Sequence, residues 1–326
     1  MIPQSRQSHG VAAVAIGRNE GERLVRCLTA LLPLVDRVIY VDSGSTDGSV
    51  ERAEDLGATV VRLDMSRPFT AARARNAGLA EVQSAEFVQF IDGDCVIAPG
   101  WLDTALQALE TDPSLGAVAG RRRERFPDAS VYNLICDVEW NTPVGPARAI
   151  GGDMLIRRSA IEGIGGFDPT LIAGEEPEMC LRLARGNWKI ARLDAEMTLH
   201  DANMTQLRQW WKRSRRAGHA FAEVSWRYRS GAEGFWKRET LRPLIWSMGV
   251  PLGLIAAGMA IGPVAAAGLL LYPAQIAKMA LRDAEPRERW PRAVFNMIGK
   301  LPETMGVIEY HVRRLTGKQS GLIEYK

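Results

Sequence analysis

The chain has 326 residues, of which 46% are hydrophobic and 24% are charged, so it can bury a sizeable core. A net charge of +3 is too small to indicate a nucleic-acid partner, and we expect none. The four cysteines lack metal-ligand spacing, and the first ten residues are polar, without an apolar signal core. These features predict a reduced, cytoplasmic catalytic domain with free thiols.

The first half of the chain alternates between predicted strands and helices. The predicted strands are 11–16, 38–41, 58–63 and 86–91, and the predicted helices are 21–32, 49–56, 71–82 and one after Pro99. This order predicts an α/β fold with a mostly parallel, doubly wound sheet flanked by helices.

The second half is less regular. Its predicted strands are 117–121, 153–156, 188–193 and 197–199, and its predicted helices are 130–140, 176–185 and a long basic helix at 205–228. Residues 163–168 are predicted to form a loop. We expect a catalytic domain at 1–228, with its nucleotide half near 10–120 and its acceptor half near 121–228, and a helical region at 229–326.

Asp92 and Asp94 follow the apolar strand 86–91 and are separated only by Gly93. Open α/β sheets bind ligands at the carboxyl ends of their strands. Hard oxygen ligands at such a position suit Mg²⁺ or Mn²⁺, which substrate phosphates often complete. The pair therefore predicts a metal site that holds a nucleotide diphosphate. The alternative is a turn that closes the strand, in which Asp and Gly are common.

Polar residues also close two neighbouring predicted strands. Asn19 and Glu20 follow the first strand and Asp42 follows the second, so their side chains can accept hydrogen bonds from a base and a ribose. The alternative is helix capping, for which Asp42 lies too early in the chain. A Gly-x-Gly-x-x-Gly motif after the first strand and a Gly-x-x-x-x-Gly-Lys motif are both missing, which argues against a dinucleotide oxidoreductase and a P-loop ATPase.

Several short segments with these residues occur in a definite order. They are Val14–Glu20, Val41–Gly48, Ala72–Gly78, Asp92–Asp94, Gly165–Asp168, Gly174–Glu178 and Leu181-Arg182. Together they resemble the signature of family 2 glycosyltransferases with the GT-A fold, over roughly residues 10–225.

The resemblance implies roles on the donor side. The residues expected to contact the nucleobase and ribose are Asn19, Glu20 and Asp42, and those expected to border the pyrophosphate and sugar are Arg73 and Asn76. Asp92 is expected near the ribose and donor sugar, and Asp94 as a direct metal ligand. His200 corresponds to a histidine near the metal or diphosphate in many relatives, so Asp94, Asp92 and His200 form the expected metal set. A structural role for this single histidine is the alternative.

Glu176 occupies the position where the family usually has the aspartate that acts as general base. Inverting transfer needs a carboxylate to take the proton of the acceptor hydroxyl, and a cation to stabilise the departing diphosphate. The usual Glu-Asp pair is here Glu175-Glu176, so either carboxylate is a candidate base. The alternative is an acidic helix start, which the helix dipole stabilises.

Residues 244–277 contain no charged side chain and have Gly262-Pro263 near their middle. A single span needs about 20 residues, so we expect a hairpin that either crosses a membrane twice or enters it and returns. Basic residues within 205–242 and after 277 favour both ends on the cytoplasmic side. A buried helical pair in a soluble domain is the alternative.

The sequence thus predicts an inverting, metal-dependent glycosyltransferase of the hexosyltransferase class at the cytoplasmic face of the plasma membrane. We expect a UDP-sugar donor, a Mg²⁺ or Mn²⁺ ion, and a lipid-linked glycan or exopolysaccharide precursor as acceptor. A processive polysaccharide synthase is one alternative, although Gln209–Arg213 matches its Gln-x-x-Arg-Trp motif incompletely and one apolar stretch provides little channel. A catalytically silent sugar- or lipid-binding scaffold is the other.

Overall fold

The computed structural model describes residues 10–82, 84–231, 234–282 and 286–317. The expectation that no signal peptide is present concerns residues 1–9 above all, which lie outside the described ranges. By their internal contacts the described residues form two compact units. The first lies within 1–126 and 140–202, and the second within 127–139 and 203–326.

The secondary structure of the described residues alternates between strands and helices up to residue 111. The strands β1 to β9 are Val11–Gly17, Arg37–Asp42, Thr59–Arg62, Phe87–Asp92, Cys95–Ile97, Leu115–Glu124, Gly145–Pro146, Met154–Arg157 and Lys189–His200. The helices α1 to α13 are Glu22–Leu31, Ser49–Asp55, Ala71–Ala80, Trp101–Thr111, Val131–Glu139, Arg158–Gly163, Glu175–Arg185, Leu207–Arg227, Lys237–Leu244, Val250–Ile261, Leu271–Ala280, Pro286–Ile298 and Lys300–Thr316.

The first unit is built on one sheet with the strand order β3-β2-β1-β4-β8-β6-β9-β5, and β7 pairs with β9. The strands β3, β2, β1 and β4 are parallel, whereas β8 runs antiparallel to both β4 and β6. Because β6 and β9 are parallel to each other, six strands share the direction of β4. The predicted α/β class is confirmed. The sheet is mixed, and the carboxyl ends of those six strands lie at one edge.

Apolar runs form the centre of this sheet because helices cover it. The residues of β1 from Val11 to Ile16 are buried, as expected for a parallel strand that is covered on both faces. In β4 the one polar interior side chain, Gln89, accepts a hydrogen bond from the Trp101 indole at 2.8 Å. Gly78 of α3 lies so close to β1 that a Cβ atom there would overlap Val14. The sheet edge is therefore held by a rigid, close-packed core.

The second unit consists of α5 and α8 to α13. Helix α8 packs along α13, and the two backbones approach closely at Gly218 and Gly306. The side chain of the capping residue Gln206 accepts a hydrogen bond from the backbone amide of Gln209, and the Gln209 side chain accepts one from the backbone amide of Gln206. This pair of hydrogen bonds fixes the start of α8. The predicted helix 205–228 is thus present. The sequence predicts a boundary at 228 and so places this helix in the catalytic domain, whereas its contacts group it with the C-terminal helices.

The apolar C-terminal segment forms two antiparallel legs. A π-helical turn, Ile245–Gly249, joins α9 to α10, and a 3₁₀ segment, Gly262–Leu270, leads into α11. The chain reverses at Gly262, whose φ is +77°. The Tyr272 hydroxyl donates to the Trp246 carbonyl at 2.7 Å, which closes the base of the hairpin. By length and composition the stretch Lys237–Ala280 is suited to cross a membrane, and its most apolar window is 0% buried by the described chain.

Three observed elements were not predicted, and two predicted strands are one continuous strand. Helix α6 occupies residues before the predicted loop at 163–168, and the short strands β5 and β7 have no counterpart in the prediction. The predicted strands 188–193 and 197–199 are one strand, β9. Asp194 and Glu196 interrupt the apolar pattern of this strand. Both line a surface pocket, where their polar side chains are accommodated without ending the strand.

Candidate active site

The acidic pair Asp92 and Asp94 lies where β4 ends and β5 begins. The Gly93 amide donates to the Ile16 carbonyl at 2.8 Å, which holds this exit against β1. The Asp92 side chain is 28% exposed, whereas that of Asp94 is 1% exposed. The two carboxylates thus face different surroundings, although one residue separates them.

Asp94 faces a buried histidine. Pairing of β5 with β9 places Cys95 opposite His200, and the His200 Nε2 atom lies 3.3 Å from Asp94 Oδ2. The other ring nitrogen, Nδ1, lies 3.3 Å from Glu124 Oε2 at the end of β6. Burial, together with the nearby Arg122 charge, lowers the pKa of His200, so the ring is neutral at pH 7. A neutral imidazole oriented by a carboxylate is the usual form of a metal-binding histidine.

Asp92 is held by two arginines. Its Oδ1 atom accepts from Arg75 at 3.1 Å and its Oδ2 atom from Arg122 at 3.2 Å. The Arg122 guanidinium also lies over the Trp140 ring, 4.8 Å from its centroid. The buried Asp153 accepts from the Asp92 amide at 3.0 Å and from the Thr198 hydroxyl at 2.7 Å. Asp153 therefore ties the end of β4 to β9.

Arg75 connects Asp92 to the acidic start of α7. Its guanidinium lies 2.9 Å from Glu175 Oε1 and 3.2 Å from Glu176 Oε1, in addition to its contact with Asp92. Burial alone would lower the pKa of Arg75, but the three carboxylates outweigh it and raise the pKa further above its usual value. Arg75 is therefore a permanent cation that three acidic groups share.

Glu175 and Glu176 differ in exposure. The Glu175 side chain is 4% exposed and that of Glu176 is 18% exposed. Burial and the neighbouring Glu175 charge raise the pKa of Glu176 to about 7, against the opposing effect of Arg75. A carboxyl group of this kind gains or loses a proton near neutral pH, as a general base must.

Asn19 and Asp42 organise the loop after β2. Asn19 has a left-handed backbone (φ 55°), and its side chain accepts from the Thr46 amide at 2.8 Å. Asp42 accepts from the amides of Gly44 and Ser45 at 2.9 and 3.0 Å. A cavity of about 420 Å³ lies beside this loop, with Asp42, Ser45, Thr46 and Arg62 among its lining residues. Glu20 is buried beside it and pairs with Arg23 at 2.7 Å.

The two residues predicted to border the pyrophosphate hold loops in this structure. Arg73 donates to the carbonyls of Asp64, Arg67 and Pro68. Asn76 exchanges two hydrogen bonds with the Phe167 backbone, at 2.7 and 2.9 Å. Their contact with a donor stays a prediction.

Four residues of the cluster were missed by sequence reasoning: Arg75, Glu124, Arg122 and Asp153. Arg75 stands in the same helical segment as Arg73 and Asn76, and helical spacing alone does not show which of its arginines points inward. The other three come from β6 and from the start of β8, up to 61 residues away from Asp92. Only the antiparallel insertion of β8 brings these residues together, and no local pattern signals it.

These side chains fit a divalent cation. The carboxylate of Asp94 and the neutral imidazole of His200 lie 3.3 Å apart, and two sets of potential ligands, Asp94 with His200 and Asp92 with Asp153, adjoin Cys95. Carboxylate and imidazole together suit Mn²⁺ and similar ions. Burial raises the pKa of the Cys95 thiol well above its usual value, so it stays protonated and fills space beside the oxygen and nitrogen ligands.

Fold and site together define an α/β protein with an acidic, metal-compatible cluster at its sheet edge and a cavity beside the loop after β2. Residues 14–162 match the sequence model of the family "Glycosyl transferase family 2". The chain is 30% identical over 299 residues to the pre-mycofactocin glycosyltransferase of Mycobacterium tuberculosis. The match covers 87% of this chain, which spans 60% of the length of that relative. Residues 14–162 of this chain belong to the family 2 glycosyltransferases.

Two further comparisons agree with this membership. The O-antigen chain rhamnosyltransferase RfbN of Salmonella typhimurium is 26% identical over 219 residues, which cover 61% of this chain and 69% of that protein. The mannosyltransferase PcManGT from Pyrobaculum calidifontis, solved with GDP-Man and Mn²⁺, superposes with a TM-score of 0.64 at 19% identity. That superposition covers 92% of this chain and 88% of the archaeal chain. The predicted GT-A fold is thereby confirmed.

Proposed function

We propose that this protein is an inverting, metal-dependent glycosyltransferase that moves a hexose from a nucleotide-diphosphate sugar to an acceptor hydroxyl. The observation that carries the proposal is the continuous cluster Asp94–His200, Asp92–Arg75 and Glu175–Glu176 at one sheet edge. Family membership supports glycosyl transfer as the reaction. The residues of this cluster offer a cation site and a base side by side.

The donor is proposed to be a UDP-sugar, with its base and ribose near Glu20 and against the loop that Asn19 and Asp42 organise. The cavity of about 420 Å³ at this loop supports the placement. Asp94 and His200 would hold a divalent cation, with Asp92 beside them. Bound there, the cation supplies positive charge to the departing diphosphate. Mn²⁺ accompanies GDP-Man in the archaeal structure, and we propose Mn²⁺ or Mg²⁺ for this chain.

Glu176 is the proposed general base. It is more exposed than Glu175, and its raised pKa suits a group that accepts a proton from a hydroxyl. Glu175 is almost fully buried, and its Oε1 atom is held 2.9 Å from Arg75. Glu175 would therefore position Arg75, while Glu176 faces the acceptor.

A lipid-linked glycan is the proposed acceptor, reached from the cytoplasmic face of the plasma membrane. The exposed apolar hairpin and the basic region at 205–242 support contact with a lipid surface. The leg from Ile245 to Ile261 contains 5 π-helical and 12 α-helical residues, which reach about 25 Å at a rise of roughly 1.5 Å each. A hydrocarbon core of about 30 Å exceeds this reach, so we propose that the hairpin enters and returns.

The test of the reaction is donor hydrolysis and transfer by the Asp94→Asn variant. We expect loss of both activities and of Mn²⁺-dependent stabilisation by nucleotide, with folding retained because the variant keeps the shape of the side chain. Arg158→Gln, at the exposed Arg158–Glu162 ion pair, is the control and should behave as the wild type. Full activity of the wild type under chelation would overturn the cation role. Absence of donor turnover in the wild type would favour the silent scaffold, and long products would favour the processive synthase.

A further inference from the structure

A second pocket lies on β6 and β9, outside the cluster described above. Its volume is about 380 Å³, and Arg121, Arg123, Asn141, Arg192, Asp194 and Glu196 are among its lining residues. Three arginines face two carboxylates there, so the lining carries a net positive charge. The exposed Arg123 already forms a bidentate pair with Glu196, with both contacts at 2.7 Å.

Arg192 is the unusual member of this lining. Its residue is 5% exposed, and its Nε atom is buried without a hydrogen-bond partner. Its guanidinium contacts the Asn141 amide oxygen at 3.4 Å, and within the described chain no carboxylate forms an ion pair with it. Among the other arginines with a buried, unbonded Nε atom, Arg26, Arg75 and Arg157 have an acidic partner. Arg289 of α12 shares the condition of Arg192, since no ion pair joins it to a carboxylate among the described residues.

A buried guanidinium without an anion is costly, because burial removes its hydration. The planar fork of arginine matches the geometry of phosphate and carboxylate, with two parallel hydrogen bonds. We propose that this pocket is an oxyanion-binding site in which Arg192 receives a phosphate or carboxylate group. Asn141 borders the anion as a neutral hydrogen-bonding group.

The position of the pocket connects it with the proposed reaction. Arg121 and Arg123 flank Arg122, which contacts Asp92, and Arg123 directly precedes Glu124, which contacts His200. Arg192 lies eight residues before His200 on β9, which at a rise of about 3.3 Å per residue is roughly 26 Å along the strand from the proposed cation site. An elongated acceptor that carries an acidic group can span this distance. This assignment of the anion to the acceptor rests on the proposed function, whereas the oxyanion site does not.

The direct test is binding of inorganic phosphate, measured by calorimetry at constant ionic strength on the full chain. We expect Arg192→Gln to weaken binding about tenfold or more, because a charge-assisted contact is lost, and Arg192→Lys to give an intermediate loss. Asp94→Asn should keep wild-type affinity, which separates this pocket from the proposed donor site. Arg158→Gln changes the net charge equally and should also keep it. Acetate in place of phosphate probes the carboxylate form.

Equal phosphate affinity in the wild type and in Arg192→Gln overturns the proposal, as does absence of binding to the wild type. Arg192→Lys guards against loss of folding in the glutamine variant, and donor hydrolysis should be unchanged in both. If the wild type binds phosphate through Arg192 but transfers no sugar, the proposed reaction fails and the oxyanion site stands. In a transfer assay, a phosphate-dependent rise in acceptor KM assigns the anion to the acceptor, and an unchanged KM assigns it to free phosphate.

Discussion

At the scale of single residues, Arg75 determines how the two ends of the site communicate. One guanidinium contacts Asp92, on the proposed donor side, and both Glu175 and Glu176, on the proposed acceptor side. It also lies over the Phe167 ring at 5.6 Å, which fixes its plane. A lysine cannot serve three carboxylates in this way, because its ammonium lacks the planar fork. Arg75 is therefore the side chain through which the position or charge of Asp92 affects Glu176.

The Arg75→Met variant tests this position. Removing one partner from a buried ion cluster leaves unpaired charge, so we expect a loss of about 3–5 kcal/mol in the free energy of unfolding, measured by urea denaturation. In a pH–rate profile, the residual activity of the variant should rise at a higher pH than the activity of the wild type, because Arg75 normally lowers the pKa of Glu176. A merely structural role would lower stability and leave the position of the pH limb unchanged.

The Glu176→Gln variant tests the base. Loss of a general base typically costs about 10²–10⁴ in rate, while the retained shape should leave donor binding intact. In the wild type the base is active when ionised, and its pKa is raised to about 7. We therefore expect kcat/KM to rise as the pH increases through about 7, and this limb to be missing in the variant. A large rate loss in Glu175→Gln with a small one in Glu176→Gln would reassign the base to Glu175.

At the scale of elements, the most demanding contact of the second unit is the crossing of α8 and α13. A Cβ atom at Gly306 would overlap the Arg215 carbonyl and lie 2.6 Å from the His219 amide. Gly218 has the same relation to the backbone of Glu303. Because rigid backbone lies on both sides, the helices must separate to admit even a methyl group.

The Gly306→Ala variant should therefore lower the free energy of unfolding of this unit by about 1–3 kcal/mol, the usual range for overpacking. Gly253→Ala is the matched control, since it lies in α10 and its Cβ atom would meet nothing within 4 Å. Alanine there should be neutral or slightly stabilising, given its higher helix propensity. Thermal unfolding in detergent measures both variants. Equal effects of the two substitutions would show that the crossing tolerates a side chain.

At the scale of the whole molecule, the proposed membrane contact depends on the apolar hairpin. Tyr272 and Trp246 meet at its base, with ring centroids 5.6 Å apart. The intervening residues 247–271 can therefore be replaced by a short Gly-Ser linker that preserves both ends. We expect the full chain to sediment with membranes and the linker variant to become soluble, while donor hydrolysis persists. Met259→Lys at the tip, where the residue is 81% exposed, is a milder variant and should weaken membrane binding. A full chain that is soluble and monomeric without detergent would contradict the membrane role.

Local pattern was enough to predict the parallel half of the sheet and the edge where Asp42 and Asp92 lie, because buried parallel strands are short apolar runs. It also predicted a reversal at Gly262-Pro263, where Gly262 has a positive φ of 77°. It did not predict β8 beside β4, since strand order depends on long-range packing. Consequently Asp153 and Arg122 were missed. Arg75 was missed as well, because helical spacing does not show which arginine of α3 points inward, whereas the role predicted for Arg73 stays a prediction. Helix α8 was assigned by sequence order to the catalytic domain, whereas its Gly218 contact with α13 groups it with the C-terminal helices.

The sheet edge gathers the carboxyl groups of Asp92, Asp94, Glu124, Asp153, Glu175 and Glu176, and the guanidinium groups of Arg75 and Arg122 lie among them. This excess of carboxylates over guanidinium groups favours a negative local potential, which would repel a diphosphate that arrives without a counterion. Under the proposed function, the order of events follows from that repulsion. The donor would enter together with its cation, and the spent diphosphate would leave together with that cation.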